Sequence, residues 1–275
     1  MKIELAKSYG FCFGVKRAIK IAENSKDGAT FGELIHNSEE IKRLEDNFNV
    51  KTLSTIEEMK DEDKIIIRTH GITKKDLQVL KDNGKNIIDA TCPFVTKPQN
   101  IVEEMSKNGY DIVIFGDKNH PEVKGVMSYA QGNVHVVLDS TELDGIKLCS
   151  KIAVVSQTTK KIEDFIKIVA YLMTRTKEVR VFNTICNATL ENQEAARELA
   201  IKADIMVVVG GKNSSNTKQL FLICKNFCDD SYLIENESEI QKEWFNGKEF
   251  CGISAGASTP DWIIQKVVNK IKEFE

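Results

Sequence analysis

Apolar runs too short for helices punctuate the chain: Ile65-Ile-Ile, Asp111-Ile-Val-Ile-Phe, Ile152-Ala-Val-Val, Asp204-Ile-Met-Val-Val-Val and Phe250-Cys-Gly-Ile. Each leads into a cluster of glycine, hydroxyl, histidine or amide residues, so each reads as a buried strand closed by a turn. Between them lie segments of helical period. The helix 15–24 turns Val15, Ala18, Ile19 and Ala22 to one side, and two further helices are predicted over 100–108 and 191–202. A short strand is predicted over 29–34. Strands alternating with helices predict an α/β fold with parallel sheets.

The pattern repeats. With Cys92 laid on Cys186, Gln99 falls on Gln193, Gly116 on Gly210, Lys118 on Lys212, Asn119 on Asn213 and His120 on Ser214. The approaches Asn86-Ile-Ile-Asp-Ala-Thr-Cys92 and Arg180-Val-Phe-Asn-Thr-Ile-Cys186 also match. Cys12 begins a shorter copy that ends at His36-Asn37. Three units follow, 1–92, 93–183 and 184–275, each closing on a second strand: Ile65 to His70, Ile152 to Thr158 and Phe250 to Ser258. Ligands of parallel sheets sit beyond the carboxyl ends of the strands. Three units sharing one site there would gather Cys12, Cys92 and Cys186 at a common point, ringed by His36, His70, His120, Thr158, Ser214 and Ser258.

Composition narrows the partners. The 275 residues are 41% hydrophobic and 29% charged, with a formal net charge of −3, which suits a globular chain with a sizeable core and lacks the basic excess of a nucleic-acid binder. Glu4 interrupts the only apolar stretch at the N-terminus, and no run approaches a membrane span. The expectation is a cytoplasmic protein with neither nucleic-acid nor membrane partners. Seven cysteines, an odd and scattered set, do not read as a disulfide framework.

A thiol is ordinarily a small buried residue, and that reading serves Cys149, Cys224, Cys228 and Cys251, with Cys224 and Cys228 on one helix face. Recurrence at one place in a repeat argues for ligands at Cys12, Cys92 and Cys186. Three thiolates suit zinc with an open position, or a [4Fe–4S] cluster with one iron lacking a protein ligand; spacing alone does not choose between them. Lys212-Asn-Ser214-Ser215-Asn216-Thr217 and Ser258-Thr-Pro260-Asp261 read as helix caps, Pro260 at the first helical position, and such helix starts also receive anions. His135, in the alternating Val134-His-Val-Val, reads as structural. Glu122, two residues past His120, is the best candidate for a proton donor, with Thr158 as a relay.

These motifs occur in a specific order: Gly10-Phe-Cys12-Phe-Gly-Val-Lys-Arg, His36-Asn, Thr69-His70-Gly, Asp89-Ala-Thr-Cys92-Pro, Gly116-Asp-Lys-Asn-His120-Pro-Glu122, Ser156-Gln-Thr158-Thr159, Thr184-Ile-Cys186, Ser214-Ser215-Asn216 and Ala255-Gly-Ala-Ser258. From Cys12 to Pro260 the set closely resembles the 4-hydroxy-3-methylbut-2-enyl diphosphate reductase family, which acts last in the non-mevalonate isoprenoid pathway. The resemblance implies a trefoil of three similar α/β units, with pseudo-threefold symmetry, around one [4Fe–4S] cluster per chain held by Cys12, Cys92 and Cys186. It implies that the hydroxyl of an allylic diphosphate substrate binds the open iron. The diphosphate would be held by His36, His70, His120, Ser214, Ser215, Asn216 and Ser258, with Thr158 also at the substrate. Glu122 with Thr158 would supply protons, and ferredoxin or flavodoxin the electrons, giving isopentenyl and dimethylallyl diphosphates. Two other readings compete with this one: a zinc-dependent hydrolase of a small phosphorylated compound, and a non-enzymatic binding module.

Overall fold

A computed structural model describes residues 1–274. The fold is α/β. Among the described residues it contains three four-stranded sheets, parallel throughout.

In chain order the elements are β1 (Lys2–Leu5), α1 (Phe13–Asn24), β2 (Ala29–Phe31), α2 (Ser38–Phe48), β3 (Lys51–Leu53), β4 (Lys64–Ile67), α3 (Lys74–Asp82) and β5 (Asn86–Asp89). Next come α4 (Pro93–Lys107), β6 (Asp111–Phe115), α5 (Pro121–Met127), β7 (Val134–Val137), β8 (Lys151–Ser156), α6 (Ile162–Met173) and β9 (Glu178–Val181). The rest are α7 (Asn187–Ala200), β10 (Ile205–Val209), α8 (Ser215–Phe227), β11 (Ser231–Ile234), β12 (Phe250–Ala255) and α9 (Asp261–Lys272).

The chain forms two compact units. One comprises Met1–Lys16, Ile35–Lys42 and the residues from Asn187 onward; the other comprises Arg17–Leu34 and Arg43–Cys186. The first holds the sheet β1-β12-β10-β11, and the second holds β3-β2-β4-β5 and β7-β6-β8-β9. In the first, β10 is buried on both faces, as a central parallel strand must be. Ile205, Val207 and Val209 pack with Ile263, Ile264, Val267 and Ile271 of α9, while Met206 and Val208 pack with Ala196 and Leu199 of α7 and Leu220 of α8. In the second, Ile112 and Ile114 of β6 meet Val102 and Met105 of α4 and Val123 and Val126 of α5. Ile65 and Ile67 of β4 meet Leu80 of α3.

The three sheets share one wiring. In each, the strand that leads into a cysteine pairs with the closing strand: β5 with β4 before Cys92, β9 with β8 before Cys186, and β1 with β12 before Cys12. For Cys12 the closing strand is β12, the last strand among the described residues. Past the central strand stands Gly32, Gly116 or Gly210, whose N–H donates to the final residue of the edge strand, Leu53, Val137 or Ile234. Past the closing strand comes a turn in which Gly71, Lys160 or Thr259 donates to the carbonyl of Arg68, Gln157 or Gly256.

Several elements differ from the sequence expectation. The short edge strands β3, β7 and β11 complete each sheet, and β2 stops at Phe31 because Gly32 takes a φ of +75° and turns the chain. Helices α4 and α7 begin directly after their cysteines, well before 100 and 191. Pro260 caps α9 from outside it. Cys228 also lies outside its helix, as an extended C-cap to α8, so it does not continue the face of Cys224.

Gly210 shows how tight the strand ends are. Its φ is +149°, and an added Cβ would lie 2.6 Å from Thr259 Oγ1 and 2.8 Å from Thr217 Oγ1. Gly247 also has positive φ, +73°, but has open space around it. Gly210→Ala is therefore expected to cost about 1–3 kcal/mol more than Gly247→Ala, the overpacking contribution alone. Urea denaturation of the two variants measures the difference.

Candidate functional site

The cysteines Cys12, Cys92 and Cys186 each stand immediately before a helix, α1, α4 and α7. Each is anchored by the same backbone bond. Its N–H donates to the carbonyl of the second residue beyond a closing strand: Cys12 to Ala257 at 3.2 Å, Cys92 to Thr69 at 3.0 Å and Cys186 to Thr158 at 3.0 Å. The following residue in each turn is Ser258, His70 or Thr159. One backbone bond thus ties each thiol to a polar turn.

The other cysteines differ. Cys224, Cys228 and Cys251 are buried, and burial pushes the Cys224 and Cys251 thiols up to about 12. They are inert packing residues. The expectation of burial does not hold for Cys149, which is half-exposed in a loop, where its Sγ accepts from the Lys151 N–H at 3.3 Å and donates to the Lys151 carbonyl. Among the described residues all seven are thiols. Cys12, Cys92 and Cys186, half-exposed at helix starts, are the ones whose chemistry fits an iron–sulfur donor set.

The second unit carries His70, His120, Glu122 and Thr158. His120 caps α5, its Nδ1 accepting from the Glu122 N–H at 3.2 Å. His70 lies edge to face with it, centroids 5.3 Å apart. Thr69 Oγ1 donates to the Leu34 carbonyl at 2.8 Å and lies 3.5 Å from His70 Nδ1, orienting that ring. Glu122 is 1% exposed. Its carboxyl accepts from the Thr158 N–H at 2.7 Å and from Thr158 Oγ1 at 2.7 Å. Burial holds its pKa above the ordinary carboxylate value, opposed by the two Thr158 bonds and by the Lys160 charge. A hydroxyl both donates and accepts, so the geometry of the pair suits passing a proton between them.

The first unit carries His36, Ser214, Ser215, Asn216 and Ser258. Ser258 Oγ donates to the His36 carbonyl at 3.2 Å. Gly211 lies against the same carbonyl, where a Cβ would come within 2.4 Å. Ser214 caps α8, its Oγ accepting from the Thr217 N–H at 3.3 Å, and Ser215 and Asn216 form the first turn. Asn216 is 4% exposed, yet neither its Oδ1 nor its Nδ2 has a partner among the described residues. A buried amide left unsatisfied costs about 1–3 kcal/mol, and a ligand at the helix start removes that cost. With the first-turn N–H groups, this helix start offers donors of the kind that receive anions.

The sequence reading passed over Gln157. Its Oε1 accepts from the Asp117 N–H at 3.0 Å and its Nε2 donates to Thr159 Oγ1 at 3.2 Å, so it braces the loop bearing His120 and Glu122 against the turn bearing Thr158. Its position just past β8 was the available signal. His135, on β7, has a buried Nε2 without a partner among the described residues; nothing else in the structure assigns it a role.

Comparison with known proteins adds the lineage. The chain is 72% identical over 274 residues to a 4-hydroxy-3-methylbut-2-enyl diphosphate reductase of Campylobacter curvus, covering 100% of both chains. It is 68% identical to that of Campylobacter jejuni, covering 100% of this chain and 99% of the relative. A solved structure of (E)-4-hydroxy-3-methyl-but-2-enyl diphosphate reductase, the terminal enzyme of the non-mevalonate pathway, is 42% identical with a TM-score of 0.73, covering 99% of each chain. The E-1-hydroxy-2-methyl-but-2-enyl-4-diphosphate reductase of Plasmodium falciparum is 28% identical with a TM-score of 0.92, covering 98% of this chain and 87% of that one. With residues 3–272 also matching the model of the LytB protein family, the chain belongs to that family.

Proposed function

We propose that the protein is a 4-hydroxy-3-methylbut-2-enyl diphosphate reductase of the cytoplasm. It removes the hydroxyl of the allylic diphosphate and yields isopentenyl and dimethylallyl diphosphates. Two electrons and two protons are consumed; one proton leaves with the hydroxyl as water and the other goes to carbon. The observation that carries this reading is the buried Glu122–Thr158 pair: a carboxyl whose pKa burial raises above the ordinary value, hydrogen-bonded to a hydroxyl, as suits a proton-delivering group. Relatives over the full chain length bear the same name.

In this reading Cys12, Cys92 and Cys186 would hold a [4Fe–4S] cluster, which would supply electrons from a ferredoxin or flavodoxin and, with three thiolates, would leave one iron without a protein ligand. The remaining work falls to the polypeptide. His36, His70 and His120 present imidazole N–H donors to the diphosphate. Ser214, Ser215, Asn216 and Ser258 add hydroxyl, amide and first-turn N–H donors, and the empty hydrogen-bonding capacity of Asn216 supports its assignment. These donors are neutral or singly charged, so they orient the anion without the dense cationic clamp of a nucleotide site. Thr158 takes a proton from Glu122 on one side and offers one to substrate on the other. Glu122 thereby protonates the departing hydroxyl and then the carbon skeleton. A zinc hydrolase would be colourless and stable in air, and a preparation of that kind would identify it.

Glu122→Gln is expected to lower turnover by about a hundredfold or more, the scale of a lost general acid, while iron content and visible absorption stay at wild-type values. Near-normal turnover would remove Glu122 from this role. Cys92→Ser is expected to yield a protein with less iron per chain after anaerobic reconstitution; an unchanged iron ratio contradicts its place in the donor set. Burial also makes Glu122 a pH-sensitive element of stability. Because its folded pKa lies above the unfolded value, its favourable contribution is complete below the ordinary carboxylate range and is lost as pH rises through the folded value. The melting temperature of wild type relative to Glu122→Gln is therefore expected to fall with increasing pH, and a pH-independent difference would contradict the protonated state.

A further inference from the structure

Arg68 stands one residue past β4, where the second copy has Gln157 and the third Gly256. It is the only charged side chain among the three, and neither the proton relay nor the diphosphate donors employ it. Its Nε donates to the Gly71 carbonyl at 3.4 Å while the Gly71 N–H donates to the Arg68 carbonyl at 3.0 Å, so side chain and backbone close the same four-residue turn from both ends. Gly71 has a φ of +71°, which an L side chain adopts only with strain. Inside the turn lie Thr69, whose carbonyl receives the Cys92 N–H, and His70.

The guanidinium reaches back over the preceding loop. A Cβ on Gly32 would fall 2.2 Å from Nη1 and 3.0 Å from Cζ, so the residue past the central strand must be glycine for the guanidinium to lie there. Gln157 makes the corresponding span in the second copy, packing against Gly116 and accepting from Asp117. Gly256 makes no such span; in its copy the space is filled by Thr217. The guanidinium is largely buried, which lowers its pKa, while Glu33 and Asp76 act in the opposite sense. Partly burying a cation is costly even with Glu33 and Asp76 to offset it, and a chain with no need of that geometry has the cheaper amide of the second copy available.

We infer that Arg68 is a positioning residue for Cys92 and His70. It fixes the Arg68–Gly71 turn against the Gly32 loop, so that the Thr69 carbonyl meets the Cys92 N–H and the His70 ring is held in one orientation. This rests on the roles proposed above for Cys92 and His70. The effect is geometric: what matters is the planar donor with its stem, and charge alone does not replace it.

Two substitutions separate these contributions. Arg68→Met keeps the stem and Arg68→Lys keeps the charge. By hydrogen exchange with mass spectrometry, both are expected to exchange the Gly71 and Cys92 amides at least tenfold faster than wild type, with the Cys186 amide unchanged. In steady-state assays of the reconstituted enzyme both are expected to raise KM for the diphosphate substrate about tenfold, lysine giving no rescue. Wild-type exchange rates at Gly71 and Cys92 in the methionine variant would overturn the inference, as would full rescue by lysine. Should either variant fail to fold, the wild-type protein supplies the reading: the Arg68 Nε–H, followed by NMR with labelled arginine, is expected to exchange slowly, and exchange at the rate of free arginine would overturn the assignment. A wild-type protein without reductase activity would sink the function proposed above while leaving the exchange result to judge Arg68.

Discussion

The organisation of the chain depends on one backbone hydrogen bond made three times, from a cysteine amide to the carbonyl two residues beyond a closing strand. Alone, such a bond contributes only about 1 kcal/mol. Its importance is positional. It joins the strand leading into each cysteine, the helix leaving it and the polar turn beside it, so that thiol and turn move together. The Gly71, Lys160 and Thr259 turns then present histidine or hydroxyl side chains from a frame that the buried strands already hold. Chemistry placed on such strand ends inherits the rigidity of the sheet.

The repeat was legible because it is written in identities as well as pattern: cysteine, glutamine, glycine, lysine and asparagine recur in step. The central and closing strands were legible because they are buried on both faces and therefore continuously apolar. The rest of each sheet was not. Lys51–Leu53 is too short to show a period. Asn86–Asp89 and Glu178–Val181 are edge strands with half their residues facing water, so no apolar run marks them. The role of Lys2–Leu5 depends on a partner at the far end of the chain, which no local pattern can reveal.

The candidate site divides in the same way. Residue types and order pointed to Glu122, Thr158, the histidines and the serine–asparagine cluster. What the sequence could not express is relation: that Glu122 has both oxygens on one threonine, or that Asn216 is buried with its amide unmatched. Gln157 and Arg68 were passed over because a polar residue after a strand is the commonest of turn signals. Their meaning emerges only when the three copies are compared and each is found spanning to a glycine.

The pairing of β1 with β12 has a consequence for how the molecule is made. A chain leaving the ribosome presents Cys12 well before the acceptor of its amide, the Ala257 carbonyl, has been made. The other two cysteines find their carbonyl partners already behind them in the chain. The Cys12 amide therefore lacks this partner until Ala257 has been made. Tethering of the Cys12 amide can be completed only after β12 and the turn beyond it have been made, so that corner of the sheet is the one set latest.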